Sequence, residues 1–337
     1  MQAAVFLGIE NIEVKDVPKP EINAGEILVQ VQYGGICGGD MSIYAGKHPR
    51  AKAPLVPGHE IFGRIASTGA DVGNEWKEGM RVVLYPVISC GHCGPCRENN
   101  VHVCETLRVV GIDRDGGFAE FVKVEPDKLF AIPDAVSDDQ AVVIEPLAVA
   151  VHAVQNSSFR VGDTALVIGG GPIGNLVAQV LRASGASEVI VSEVKQYRRD
   201  LAARMGFKVI DPSAGDIQES LKRLIASRFT DTVFEATGFG GAYKDAVQCC
   251  KVRGHIAFVG IPKTIPQVDV LTILFKEIFT SSARMYSRKD YLGAIALLLR
   301  EAVDVLPLIE KIPLKDAPLG FHMMKAADTS LKILLVP

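Results

Sequence analysis

Two rhythms of apolar and polar residues divide the chain. From residue 1 to about 147 the pattern is a short alternation, as in Ile27-Leu28-Val29-Gln30-Val31-Gln32 and Arg81-Val82-Val83-Leu84, broken by clusters of Gly, Pro and Asp. A period of two puts successive side chains on opposite faces, so this part predicts short strands in a barrel-like region with few long helices. From about 148 to 283 apolar runs alternate with amphipathic stretches. Strands are expected at Thr164 to Ile168, Val189 to Ser192, Thr232 to Glu235 and His255 to Val259, and helices at Ile173 to Ser184 and Lys195 to Met205. That order predicts a parallel sheet of the α/β class. Residues 284–337 carry an amphipathic helix at Asp290 to Glu301 and an apolar last strand, Leu331 to Val336, expected to rejoin the first region.

Length and composition narrow the function. A chain of 337 residues has room for about two domains and a dry interior site. With 36 Lys and Arg against 39 Asp and Glu, the net charge of -3 argues against nucleic-acid binding, and 48% hydrophobic residues argue against disorder. The longest clean apolar stretches, such as Ala294-Ile295-Ala296-Leu297-Leu298-Leu299, are far shorter than the roughly 18 residues of a membrane span. Met1 to Phe6 leads directly into strand-like alternation with no export-signal pattern, so a cytoplasmic protein is expected.

Four of the seven cysteines fall within fifteen residues. Cys90, Cys93, Cys96 and Cys104 follow C-x2-C-x2-C-x7-C, in a lobe at about 88–106 where Gly91, Gly94 and Pro95 supply turns. Such spacing points to a tetrahedral thiolate cage for a structural zinc; spacing alone leaves an iron-sulfur cluster open, and the remaining motifs favour zinc. Cys249 and Cys250 have no partner motif and read as small buried side chains.

A dinucleotide site is predicted by Gly169-Gly170-Gly171-Pro172-Ile173-Gly174, which satisfies G-x-G-x-x-G between a strand and a helix. Gly169 permits the turn, Gly171 admits a pyrophosphate to the backbone, and Gly174 lets the helix approach the sheet. Pro172 and Ile173 open that helix, whose N-terminus attracts phosphate. The second strand ends at Glu193, whose carboxylate suits a ribose diol and repels a 2′-phosphate, so NAD is preferred to NADP; Arg198 and Arg199 nearby would tolerate the phosphate. Thr237 and Gly260 follow later strands at the sheet edge where ligands bind.

Three further positions form a second metal set. Cys37, in Gly35-Ile36-Cys37-Gly38-Gly39-Asp40, His59 in Gly58-His59-Glu60, and Glu145 in Ile144-Glu145-Pro146-Leu147 together offer the ligands of an open zinc site. These motifs, with the four-cysteine lobe and the glycine loop, occur in an order that resembles the zinc-dependent medium-chain dehydrogenase/reductase family along essentially the whole chain. Glu145, where simple alcohol dehydrogenases have a third cysteine, is similar to the sorbitol and threonine dehydrogenase branch. The resemblance implies a GroES-like β-rich catalytic domain (1–147), a doubly wound Rossmann domain (148–283) and a return segment (284–337). It implies one catalytic and one structural zinc. In it Cys37, His59 and Glu60 ligate the catalytic ion, while Glu145 ligates it or hydrogen-bonds its water.

The activity so implied is reversible oxidation of a secondary hydroxyl of a polyol, sugar or sugar acid, by a homodimer or homotetramer acting on a small molecule. The branch usually has Ser or Thr two residues after the ligand cysteine and His three further on, as a proton relay; here these are Gly39 and Ser42. Ser42, a water column past Gly39, or Glu60 through water could serve instead. The altered relay also leaves a catalytically silent NAD(H)- or zinc-binding regulator as the competing reading. Lys47, His48, Arg50 and Arg284 are candidates for an anionic group on the substrate, Arg by a bidentate fork.

Overall fold

The computed structural model describes residues 1–262, 264–326 and 331–337. The chain forms two units, Met1–Glu145 with Leu308–Pro337, and Pro146–Pro307.

The first unit is β-rich, as its alternation predicts. Its principal sheet orders the strands Ile309–Pro313, Lys332–Val336, Ile27–Ile36, Glu60–Thr68, Arg81–Leu84 and Leu129–Ala131, with Phe121–Val124 also on Ile27–Ile36. Every pairing is antiparallel except Ile309–Pro313 with Lys332–Val336. One apolar core gathers Ile27, Val29, Ile61, Val82 and Val122; a second joins Phe6, Ile36, Phe118, Phe321 and Ile333. The second core draws on both ends of the chain. The last strand therefore rejoins the first unit, with Ile333 opposite Ile36.

The second unit is a six-stranded parallel sheet in the order Lys208–Ile210, Glu188–Ser192, Thr164–Ile168, Thr230–Glu235, Cys250–Phe258, Phe279–Ser282. Numbered along the chain this is 3-2-1-4-5-6, the doubly wound arrangement whose ligand edge lies beyond the carboxyl ends of the strands. The second boundary differs from the texture reading: residues 284–307 belong here, not to the return segment. Specific contacts hold them. Asp290, in the helix Arg288–Leu299, accepts from His152 at 2.9 Å, and Gln179 exchanges hydrogen bonds with the backbone of Asp304.

Candidate functional site

The four-cysteine lobe is built locally. Cys93 precedes the one-turn helix Gly94–Arg97, whose Pro95 needs no amide partner there, and Cys104 follows the short helix Val101–Val103. Sulfur pairs Cys90–Cys96 and Cys93–Cys104 stand 3.9 Å apart, and all four sulfurs lie within 4.8 Å of one another. Bonds of about 2.3 Å to one tetrahedral ion require edges of about 3.8 Å. The cage thus has the size of a single ion, smaller than a cluster of several irons needs. Backbone amides of Cys93 and Cys90 donate to the sulfurs of Cys90 and Cys104, both at 3.3 Å; the backbone of His92 and then that of Cys93 hold the Cys90 thiol down at about 6. Cys249 and Cys250 are buried thiols, pushed up to about 12 by that burial.

The second cluster is assembled by sheet register. Gly35 pairs with Glu60 across Ile27–Ile36 and Glu60–Thr68, which sets Cys37 at the end of one strand beside His59 at the start of the next. Cys37 caps the helix Gly38–Tyr44: its sulfur accepts from the Gly39 amide at 3.1 Å, and Asp40 accepts from the Cys37 amide at 2.9 Å. The sulfur stands 3.0 Å from His59 Nε2, while Asp40 Oδ1 lies 3.6 Å from His59 Nδ1. Neither of the last two atoms has a hydrogen-bond partner. An ion on Nε2 would leave the Nδ1 proton facing Asp40, the arrangement that orients metal-bound imidazoles. Ligand atoms of His59, Glu60 and Glu145, the last at the start of the helix Ile144–Gln155, lie within 4.8 Å of one another.

Burial raises the Cys37 thiol against the pull of His59. Burial also works to neutralise His59, yet Cys37 and Asp40 outweigh it and hold the imidazole well above its usual value. Glu60 is pushed up to about 7 by burial, with Lys332 opposing and Glu145 adding. A thiol, an imidazole and carboxylates, in two groups that share His59, are donors of the kind that fit a divalent cation.

Of the residues that the sequence singles out, the structure brings Cys37 to His59, and Glu60 and Glu145 to that same imidazole; two further neighbours were not among them. Asp40 was inside a quoted motif, and its spacing from Cys37 is that of a capping box. Lys332, whose ammonium is 2.6 Å from both oxygens of Glu60, had no local signal, being 272 positions away. Ser42 lies one turn from Gly39 on the same helix, so both share a face. Of the cations expected at the substrate, Arg50 is already engaged: Nε and Nη2 meet the two oxygens of Asp113 at 2.8 and 3.0 Å. Lys47 and Arg284 are exposed, and His48 Nδ1 accepts from the amides of Arg50 and Ala51.

In the second unit, Gly169 adopts φ +104°, a turn that favours glycine, and a Cβ on Gly174 would lie 1.8 Å from the Gly169 carbonyl oxygen. Gly171 caps the helix Pro172–Ala183, with Pro172 and Ile173 in its first turn. Glu193 is buried, its two oxygens held by the amides of Gly170 and Lys195 at 2.8 Å each; Arg198 Nη1 is 3.6 Å away. Thr237 is set by Glu235, a buried carboxylate that accepts from the amides of Thr237 and Gly238, and Gly260 adjoins that same carboxylate.

Comparison with known proteins gives the same division. Residues 23–134 match the model of the alcohol dehydrogenase GroES-like domain and residues 172–300 that of the zinc-binding dehydrogenase domain. A 2-dehydro-3-deoxy-L-galactonate 5-dehydrogenase of Pseudoalteromonas atlantica is 35% identical, over 99% of this chain and 98% of its own. A zinc-binding dehydrogenase from Sinorhizobium meliloti, solved with NADP, superposes with TM-score 0.93 at 32% identity, covering 100% of this chain and 99% of the other. An Escherichia coli alcohol dehydrogenase solved with NADH gives TM-score 0.93 at 30% identity, with the same coverage. No helix among the described residues is long and apolar enough to cross a membrane.

Proposed function

Because the chain belongs to the zinc-dependent medium-chain dehydrogenase/reductase family, we propose that it oxidises a secondary hydroxyl of a polyol, sugar or sugar acid, with NAD as hydride acceptor. The observation that carries this reading is the meeting of two potential ligand groups at His59, Cys37 and Asp40 forming one with it and Glu60 and Glu145 the other. Three protein ligands leave a position for the substrate oxygen. When bound there, zinc supplies Lewis acidity that makes the hydroxyl easier to ionise, while the nicotinamide accepts the hydride. Cys37 and His59 fix the ion's place through the sheet register, and Asp40 keeps Nε2 of His59 free for it. Ser42 takes the alcohol proton toward solvent. A second zinc in the four-cysteine lobe is structural.

NAD is favoured over NADP because both Glu193 oxygens are tied to backbone amides, so the carboxylate cannot swing away from a 2′-phosphate. Its charge also occupies Arg198. The sugar-acid relative supports a substrate carrying a carboxylate. Lys47, exposed in the first unit, is the partner for that anion, since recruiting Arg50 would break its bidentate pair with Asp113. Self-association is supported by the second unit's edge: Phe279–Ser282 ends the sheet, and Val270, Leu271, Leu274, Phe275 and Phe279 are exposed beside it.

Absorbance at 340 nm with a panel of polyols and aldonates, read with NAD and with NADP, tests the reading. NAD-dependent oxidation with two zinc ions per chain is expected. Tight NAD binding with full zinc and no turnover on any substrate would point instead to the regulatory alternative.

A further inference from the structure

The second unit carries a cavity of about 420 Å³ at the amino ends of its parallel strands, whereas the glycine loop lies at their carboxyl ends. The five residues of Thr164–Ile168 set the two places roughly 15 Å apart. Sheet register builds the cavity floor. Thr232 lies opposite His255 and His255 opposite Phe279, so these side chains point to one face, while Val233 and Ile256 turn the other way into the apolar core. Thr232 is 2% exposed and His255 5%, yet Thr232 Oγ1 and His255 Nδ1 have no hydrogen-bond partner among the described residues. The other imidazole nitrogen is 2.8 Å from Ser281 Oγ, and burial lowers the ring below its usual value, which keeps it neutral. Two buried polar atoms without partners are costly to the fold and available to a ligand.

The rim is cationic. Thr230 pairs with Cys250 but Thr232 with His255, so the strand bulges between them and brings Lys251 and Arg253 to the cavity. Arg253 has φ +57°, a conformation disfavoured for a residue with a side chain. Lys251 is tied to Asp231, whose other oxygen holds Thr164, and Arg253 pairs with Glu277. Both members of the Arg253 pair are well exposed, so that pair contributes little and is easily exchanged. Arg160 has no ion-pair partner among the described residues, and the nearby Asp163 accepts from its backbone amide.

We propose that this cavity binds a small hydroxylated anion, a sugar phosphate or sugar acid, with its phosphate or carboxylate on Arg160 and a hydroxyl on Thr232 and His255. A guanidinium fork matches either anion. A hydroxyl both donates and accepts, which suits a threonine hydroxyl beside a neutral imidazole. The volume is that of a small-ligand site. None of these residues belongs to the glycine loop or to the metal clusters, so the site stands or falls apart from the proposed activity.

Titration calorimetry on the intact, zinc-loaded chain tests this with glucose 6-phosphate, gluconate, inorganic phosphate and glucose. NADH is present at saturation, so that the nucleotide site is filled and no hydroxyl is oxidised. One molecule of glucose 6-phosphate or gluconate per chain is expected to bind, more tightly than inorganic phosphate, with no binding of glucose; which of the two binds better identifies the anion. Arg160 is exposed, so Arg160→Gln leaves the core intact and should weaken binding roughly tenfold, the effect of one charge-assisted contact. Thr232→Val should weaken the hydroxylated anion about fivefold and leave inorganic phosphate unchanged. No saturable binding of either hydroxylated anion at millimolar concentration overturns the proposal. Binding undiminished by Arg160→Gln lies elsewhere on the chain and overturns it too. Equal binding of glucose leaves the cation no part, inorganic phosphate as the sole ligand leaves the floor none, and either result has the same force.

Discussion

The first unit holds two ligand clusters that differ in how the chain makes them. The lobe takes four like donors from fifteen consecutive residues and holds them with local turns and backbone amides. The second cluster takes a thiol, an imidazole and carboxylates from positions 37, 59, 60 and 145, and sets Lys332 behind them. A closed cage of thiolates has no place for substrate and adds to stability. A mixed, buried set with an unfilled position is less self-sufficient and depends on the sheet that carries it. On the proposed reading, chemistry is located where the fold has to do the assembling.

The comparison breaks most readily at His59. His59→Ala should lower turnover by roughly a thousandfold or more, the several kcal/mol expected of a Lewis acid, with one zinc lost per chain and the lobe ion kept. Steady-state rates at 340 nm and metal analysis check both parts. If two ions leave together, the clusters are not independent. Cys96→Ser should act in the opposite sense. A loss of about 3 kcal/mol would lower the unfolding midpoint by roughly 4 °C in calorimetry, while turnover below that midpoint changes little.

Ser42→Ala sharpens the contrast within the open cluster. A tenfold or larger fall in turnover near neutral pH is expected if its hydroxyl replaces the relay, since a positioned acid or base contributes about a hundredfold or more. An unchanged rate removes Ser42 from the mechanism. The smallest effect separates fold from metal. Arg114 hydrogen-bonds Glu125 and holds its carboxyl at about 2, below the usual 4.5. A depressed carboxylate stabilises the folded state above its unfolded value, and the contribution is lost as pH falls from about 4.5 toward 2. The pair is half-exposed, so Glu125→Gln should cost well under about 1 kcal/mol. It should slightly weaken the acid dependence of unfolding in that window, to which other depressed carboxylates such as Asp113 and Asp290 also contribute. Zinc release from His59, which requires imidazole protonation, should begin at higher pH and be unaffected by Glu125→Gln.

Much of this was legible before any coordinates. The parallel sheet follows the alternation of apolar strands and amphipathic helices, which marked four of its six strands and missed Lys208–Ile210 and Phe279–Ser282, and the C-x2-C-x2-C-x7-C run brings its own ligands together. Gly169 and Gly174 are needed where the backbone turns or approaches most closely. The boundary at 307 was less legible, because the contacts from His152 and Gln179 that help bind 284–307 to the second unit have no periodicity to announce them.

Local order along the chain determined the two-unit architecture, the lobe and the nucleotide loop, because turns, strand periods and glycine positions act over a few neighbouring residues. Only the tertiary structure decided that Arg50 is tied to Asp113, that Asp40 stands behind His59, and that Lys332 grips Glu60. Each of these is an electrostatic pairing across strands or loops, where burial makes an unpaired charge costly. Which partner satisfies such a charge is set by distance in the folded chain, a quantity that sequence separation does not encode.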